Sequence, residues 1–336
     1  MKAIKFFAIS AMAAAMITSC SSEDELSQSN YPSDNIVRVT AGVNNAKTRA
    51  EGAGTPLEQP LSLTVVNKNA PKYTYTDKVF SKSSGDWACS ETLLWQKSDA
   101  LVDIVAFAPA QTGKFNGVYA NESIQPIAYS VASDQSTSSA NNDLLYYYAK
   151  DFNPGESLDK GKLKIQFNHA FCMIDINVTL GTEFNKPEVL DDSPIVKVTL
   201  GGTKIEANVD VTKAATSVVT ASETAAATDI TTTKGSFTPA ENADKKANPE
   251  KNAISRFSCI AIPQTVAANT FKVSLMTAGK RYEWTSAEPV VLKSGYRYTL
   301  NLSMGNDVVL LKGGSDNGGI TATPWGPGTG GSLETD

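Results

Sequence analysis

The chain has 336 residues, of which 19% are charged and 41% are hydrophobic, and its formal net charge is −5. This composition excludes global disorder and allows a sizeable core, and the length predicts two domains or one large β domain. A single histidine, His169, excludes a metal site built on several histidines. The acidic balance predicts no nucleic-acid partner.

The start of the chain has the pattern of a lipoprotein signal. Lys2 and Lys5 precede the apolar run 6–17, which is shorter than the roughly 20 residues of a membrane-spanning helix and is typical of a secretory signal peptide. The sequence Ile17-Thr18-Ser19-Cys20 resembles the bacterial lipobox. Residues 1–19 are therefore the predicted signal peptide, and Cys20 is the predicted site of lipidation with diacylglycerol and palmitate. An ordinary signal peptide with a chance cysteine is the alternative.

An acidic tether is predicted at residues 20–35. It begins Cys20-Ser21-Ser22-Glu23-Asp24-Glu25, which resembles the surface-export signal of Bacteroidetes lipoproteins and predicts a surface-exposed protein of the outer membrane. A solvated linker is the alternative. Cys89, Cys172 and Cys259 are the remaining cysteines. They lie in or beside predicted strands, as buried inert thiols do, and whether any two of them pair is left open.

The rest of the chain predicts an all-β fold. Runs rich in Val, Ile, Thr, Tyr and Phe alternate with clusters of Gly, Asn, Pro and Ser. Segment 141–150 is the best helix candidate, although it also fits a strand. The predicted strands are 36–43, 61–67, 73–80, 101–108, 163–180, 195–200, 205–211, 256–262, 271–277, 281–284, 296–304 and 308–312. The pair 195–200 and 205–211 is predicted to form a hairpin around Gly201-Gly202.

The first strand, Ile36 to Val43, alternates between apolar and other residues. Its predicted buried face consists of Val37, Val39, Ala41 and Val43. The polar, glycine-containing stretch 44–54 follows, and its composition predicts an exposed site for proteolysis.

The segment 163–180 changes phase. Its apolar residues fall at odd positions up to Phe167 and at even positions from Cys172 onward. A one-residue offset in a period of two indicates a bulge, or a strand that passes from one sheet to another. His169 lies at this break, and we interpret it as structural rather than catalytic. The polar stretch 181–192 predicts a domain boundary after residue 185, with the second domain starting at residue 194.

No dinucleotide fingerprint, P-loop, zinc spacing, EF-hand loop or nucleophile elbow occurs in the sequence. The sequence nominates no carboxylate pair for glycosidase chemistry. We therefore predict that the protein is not an enzyme and that it uses no cofactor and no metal.

Several motifs in order along the chain resemble the fimbrillin family, the Bacteroidetes type V pilins and their Mfa-like relatives. They are the lipobox at Cys20, Lys47-Thr48-Arg49-Ala50, Trp95 with the segment 102–109, Asp143-Leu144-Leu145, Phe167-Asn168-His169-Ala170, Ile262-Pro263-Gln264-Thr265, Gly295-Tyr296-Arg297-Tyr298 and the segment 320–325. Gln96 stands where the family has a proline after the tryptophan. The similarity spans the whole chain.

This resemblance implies two tandem transthyretin-like β-sandwich domains, 36–185 and 194–325, followed by a flexible tail, 326–336. It also implies cleavage between Arg49 and Ala50 by a trypsin-like Arg-specific protease, with Lys47 as the fallback position. The first strand would then leave, and a strand from the C-terminal region of a neighbouring subunit, including Ile320, Ala322 and Trp325, would fill the groove. Other fimbrial subunits are the implied partners.

The leading hypothesis is a structural subunit of a cell-surface fimbria that acts in adhesion or biofilm formation. The alternative is a non-polymerising surface lipoprotein, a fimbrial tip or anchor, that binds glycans or host ligands. Its candidate aromatic platform consists of Trp87, Tyr146, Tyr147, Tyr148 and Trp325.

Overall fold

A computed structural model describes residues 30–44, 55–111, 113–139, 142–181, 184, 190–241, 251–305, 307–310 and 320–325. The described chain is nearly all β, as the sequence predicted. Within these ranges, none of the helices has the length and apolar character that crossing a bilayer requires.

The strands in chain order are β1 Val39–Val43, β2 Thr55–Pro56, β3 Leu61–Val66, β4 Tyr75–Ser83, β5 Asp86–Cys89, β6 Val102–Ala108, β7 Tyr119–Ala120, β8 Ser123–Ile124, β9 Ile127–Ser130, β10 Leu145–Phe152, β11 Leu163–His169, β12 Cys172–Leu180, β13 Ile195–Gly201, β14 Glu206–Val209, β15 Val219–Ala221, β16 Ile230–Thr231, β17 Thr233–Thr238, β18 Ile254–Ala261, β19 Gln264–Val266, β20 Lys272–Thr277, β21 Arg281–Thr285, β22 Val290–Leu292, β23 Tyr296–Met304, β24 Val308–Leu310 and β25 Thr321–Pro324. A short α-helix, α1, covers Pro154–Ser157, and 3-10 turns cover Pro71–Tyr73, Asn116–Val118 and Ala215–Ser217.

The N-terminal part is built on an eight-stranded sheet with the order β2-β1-β11-β10-β6-β3-β4-β5. Strand β6 lies in its middle, and all seven of its residues are buried. Ile104 and Ala106 face one core, whereas Val105 and Phe107 face another. The continuous apolar run of β6 is therefore explained by burial on both faces, as predicted for a central strand.

The two cores are defined by their residues. The N-terminal core includes Val37, Val39, Leu57, Leu61, Leu63, Val65, Phe80, Leu93, Trp95, Ile104, Leu163, Ile165 and Phe167. The C-terminal core includes Phe107, Phe115, Phe171, Ile174, Ile176, Val178, Leu200, Phe257, Phe271, Leu275, Tyr298, Leu300, Leu302 and Ile320.

The change of phase near His169 is a change of sheet. Strand β11 pairs with β10 and β1 in the eight-stranded sheet, while β12 pairs with β18 and β23 in a second sheet of order β17-β18-β12-β23-β24, to which β25 is added on β23. Ala170 and Phe171 join the two strands and are fully buried. Because each strand turns its apolar face to a different core, the alternation shifts by one residue here. Strand pairing thus places the change of sheet earlier than the 185–194 boundary, and the two-domain division stays a prediction.

For the segment 141–150, the strand alternative is confirmed over residues 145–150, which lie in β10 and turn their apolar side chains alternately to the two cores. Two other local expectations differ from the structure. Strands β13 and β14 do not form a hairpin: β13 pairs with β16 and β20, and β14 pairs with β9 and β15. The first strand is shorter than predicted, since Ile36 makes only an isolated bridge to Leu94 before β1 begins at Val39.

Gly202 explains why the expected hairpin fails. Its φ is +84°, and an added Cβ would lie 2.1 Å from the carbonyl oxygen of Thr270. The glycine therefore lets the chain pass close to another backbone segment as it leaves β13 for a different sheet, instead of closing a turn onto the next strand.

Candidate functional site: the first strand, the last strand and the cleft between them

The first strand is hydrogen-bonded along both edges. On one side β1 runs parallel to β11, from Val39 opposite Leu163 to Val43 opposite Phe167. On the other side Gly42 and Val43 pair antiparallel with β2. Loss of this strand would therefore leave the whole facing edge of β11 unpaired, together with the two residues of β2.

The residues just before β1 extend this pairing. The Val37 N–H donates to the Leu93 carbonyl at 2.9 Å, and the Trp95 N–H donates to the Asn35 carbonyl at 2.8 Å. Because residues 93–95 follow β5, at the far end of the sheet order, the segment 35–43 brings the two ends of the eight-stranded sheet together.

The predicted apolar face of this strand turns inward. Val37 and Val39 are 4% and 3% exposed in the N-terminal core, and Ala41 and Val43 are partly buried against it. Full burial of a valine contributes roughly 1.5–3 kcal/mol. The exposed Thr40 lies on the other face, so every second side chain of the strand lies in an apolar groove.

The strand ends at a polar clasp on β11. The Asn44 N–H donates to the Phe167 carbonyl at 2.7 Å, and the Asn44 side-chain amide donates to the Asn168 Oδ1 at 2.8 Å. The predicted cleavage position at Arg49 and Ala50, the fallback Lys47 and the predicted lipidation site Cys20 lie outside the described residues.

The last strand lies on the second sheet. Strand β25 pairs antiparallel with the first half of β23, from Thr321 opposite Thr299 to Pro324 opposite Tyr296. Ile320 is 2% exposed in the C-terminal core, and Ala322 and Trp325 pack against that core while partly exposed. The pairing continues one residue further, because the Trp325 N–H donates to the Gly295 carbonyl at 2.7 Å.

A cleft of about 320 Å³ lies between the ends of these two strands. It is lined by Val43, Pro56, Leu57, Glu58, Gln59, Ser139, Asp143, Leu145, His169, Met173, Ile260 and Trp325. The cleft therefore brings together the end of β1, the end of β11 and the end of β25, which the sequence did not place near one another.

His169 forms one wall of this cleft together with Trp325. The imidazole and indole rings stack with centroids 3.9 Å apart and planes 8° from parallel. His169 Nδ1 lies 2.7 Å from the Asp143 Oδ2, and the two side chains are 13% and 12% exposed. The sequence predicted a structural role for His169 at a strand break, but it did not reveal these two partners.

The candidate glycan platform is dispersed in the structure. Tyr146 packs in the C-terminal core, Tyr148 packs against it, and Tyr147 packs against the N-terminal core, so the three tyrosines point to opposite faces of β10. Burial raises the pKa of each of these phenols. Trp87 packs against the N-terminal core, and Trp325 has one ring face covered by His169. These five rings form no shared surface.

Three cysteines lie in the described part of the chain, and they are free. Cys172 and Cys259 are fully buried, and their pKa values are raised by desolvation. A raised pKa disfavours the nucleophilic thiolate. Cys89 is partly exposed on β5.

The chain matches the family model described as fimbrillin-like over residues 45–325. It belongs to the fimbrillin-like family. The match begins just after β1 and ends at Trp325. Membership supports a role as a fimbrial subunit at the cell surface, among other fimbrial subunits, and suggests a non-enzymatic protein.

Solved structures share this fold. A putative cell adhesion protein from Bacteroides ovatus ATCC 8483 has a TM-score of 0.59 and 15% sequence identity, with 86% of this chain and 97% of that chain covered. A putative cell adhesion protein from Bacteroides uniformis ATCC 8492 has a TM-score of 0.54 and 13% identity, covering 88% and 99% of the two chains. No curated protein matches the chain.

Proposed function

We propose that this fimbrillin-like protein is a structural subunit of a type V fimbria that polymerises by donor-strand exchange and acts in adhesion or biofilm formation. It is exported as a lipoprotein on Cys20 and reaches the surface of the outer membrane. A trypsin-like protease then cleaves after Arg49. The first strand leaves with the lipid, and a C-terminal strand from a neighbouring subunit takes its place.

One observation carries this proposal: the segment 35–43 is at once N-terminal, bonded along both edges and buried on one face. Its removal would expose the edge of β11, the backbone of residues 93–95 and the apolar side chains around Val37 and Val39. Such an opened groove favours one kind of occupant, an extended chain with apolar residues at alternate positions.

The test uses the chain with Cys20→Ser, which takes no lipid. Digestion with an Arg-specific protease should produce a new N-terminus at Ala50 and then polymers, measured by N-terminal sequencing and size-exclusion chromatography. Arg49→Ala should block both events. Lys47→Ala is the matched control, because it removes a neighbouring cation and leaves Arg49 intact. Polymers formed by uncut Arg49→Ala protein would contradict processing at this position.

A second candidate is a non-polymerising tip or anchor lipoprotein. It is favoured by β25, which is already paired on its own sheet with Ile320 buried in its own core and is therefore not free to enter a neighbour. A cleaved chain that stays monomeric and binds an immobilised polysaccharide would support this candidate over the first.

A further inference from the structure

The end of the last strand is fixed by an aromatic stack on a different sheet. Strand β25 belongs to the second sheet, whereas His169 is the final residue of β11 in the eight-stranded sheet. The centroid distance of 3.9 Å places the imidazole flat against the Trp325 ring. This contact therefore ties the terminus of β25 to the strand that also pairs with β1.

The imidazole is held in this orientation by Asp143. Its Nδ1 lies 2.7 Å from one carboxylate oxygen, while the other oxygen, Oδ1, is buried and has no hydrogen-bond partner among the described residues. Burying an unsatisfied carboxylate oxygen is costly. The carboxylate thus orients the His169 ring, and the desolvation of its second oxygen is a free-energy cost that a purely apolar contact would avoid.

The position of His169 also depends on the first strand. Asn44, directly after β1, bonds to the carbonyl of Phe167 and the side chain of Asn168, the two residues before His169. Val43 lines the same cleft as His169 and Trp325. Loss of β1 would remove this clasp and one wall of the cleft, so the end of β11 would lose its support next to the stack.

We propose that His169 is a positioning residue for strand exchange, which keeps β25 on its own sheet while β1 is in place and lets it go when β1 is removed. The donor role of β25 in this statement rests on the proposed function. The contact keeps β25 from binding a neighbouring subunit before cleavage has opened a groove. A single cleavage then removes β1 and releases β25.

The first experiment measures amide hydrogen exchange in uncut chain carrying Cys20→Ser. His169→Ala should speed exchange at Thr321 and Thr323, whose amides face β23 in the same phase as that of Trp325, by about three- to tenfold, the range expected for loss of an aromatic pair. Amides of β12, which pairs with β23 on the other side, should be unchanged. His169→Phe keeps a flat ring and should restore most of the protection. An equal increase in β12, or none in β25, would overturn the proposal.

A matched control removes a different aromatic stack. Phe152 stacks on Trp95 with centroids 6.2 Å apart in the N-terminal core, far along the chain from β25. Phe152→Ala should leave exchange at Thr321 and Thr323 unchanged. If it accelerates these amides as much as His169→Ala does, the effect is general destabilisation and the positioning role is wrong.

The second experiment compares uncut wild-type chain with cleaved wild-type chain that is kept monomeric by dilution during the exchange pulse. Cleavage should raise exchange in β25 to about the level of uncut His169→Ala, and His169→Ala should add little after cleavage. Unchanged β25 protection after loss of β1 would overturn the coupling. This readout is separate from polymerisation because it is taken on cleaved monomers. Monomers that release β25 but never form polymers would contradict the proposed function alone, and monomers that keep β25 protected and then polymerise would contradict the positioning role alone.

Discussion

The first and last strands of this protein are held in opposite ways. Strand β1 runs parallel to β11 over its whole length and also pairs with β2 at Gly42 and Val43, while β25 is paired antiparallel to β23 alone among the described strands. An interior strand leaves only if pairing on two sides is broken together, whereas a terminal strand on one partner can separate residue by residue. We therefore expect β1 to leave as a unit once it is cut from the chain, as in the proposed function, and β25 to respond to the loss of a single side-chain contact, as in the proposed role of His169.

The strongest test of this contrast places a charge in the first strand. Val39→Asp puts a carboxylate where the side chain is 3% exposed, and an unpaired buried charge costs about 3–5 kcal/mol. We expect the free energy of unfolding to fall by this amount in urea titrations. Thr40→Asp is the control, because Thr40 is exposed on the neighbouring face of the same strand. A similar loss in both variants would mean that the buried face of β1 does not carry its stability.

A smaller effect is expected at the last strand. Ile320→Ala removes a side chain that is 2% exposed in the C-terminal core, and such truncations cost about 2–5 kcal/mol. We expect the lower part of this range, since Ile320 is next to a strand on the edge of its sheet. Thr321→Ala, on a partly exposed neighbour, should change the urea midpoint little. A loss larger than that of Val39→Asp would reverse the contrast between the two strands.

The smallest expected effect concerns the entrance to β1. The Asp34 side chain bonds to Arg38 and to the backbone of Ile36, and the Arg38 guanidinium holds the pKa of Asp34 below its usual range. Because the pKa of this carboxyl is lower in the folded state, its ionised form stabilises the folded protein fully at pH values above the pKa of the unfolded state, about 4. This contribution is lost as the pH falls through the pKa of the folded state.

Asp34→Asn should therefore reduce the difference in thermal midpoint between pH 6 and pH 3, and the reduction should be small because the pair is exposed to solvent. The control is Asp99→Asn, since Asp99 also has a pKa lowered by an adjacent cation, Lys97, but lies in the turn before β6 and not at the start of β1. Equal effects would indicate that the Asp34 pair has no particular role at the strand entrance.

Much of the fold could be read from local pattern. The two-sided burial of β6, the alternation of the first strand and the phase change near His169 all follow from a period of two residues. The phase change left two possibilities open, a bulge or a change of sheet, and the structure shows a change of sheet. The segment 141–150 also left two possibilities open, a helix or a strand, since a short apolar run fits both periods. The structure shows the strand.

Strand pairing and side-chain contacts between segments that are separated in the chain could not be predicted from the local pattern. The sequence by itself determined the all-β class, the strands and the inward face of Val37 and Val39, because alternation is a property of neighbouring residues. Only the tertiary structure decided that β1 lies between β11 and β2, that β13 and β14 part at Gly202, and that His169 meets Trp325. Those choices depend on which faces pack together, and partners outside the local pattern, such as Val43 and Phe167 or His169 and Trp325, share no local signal that records it.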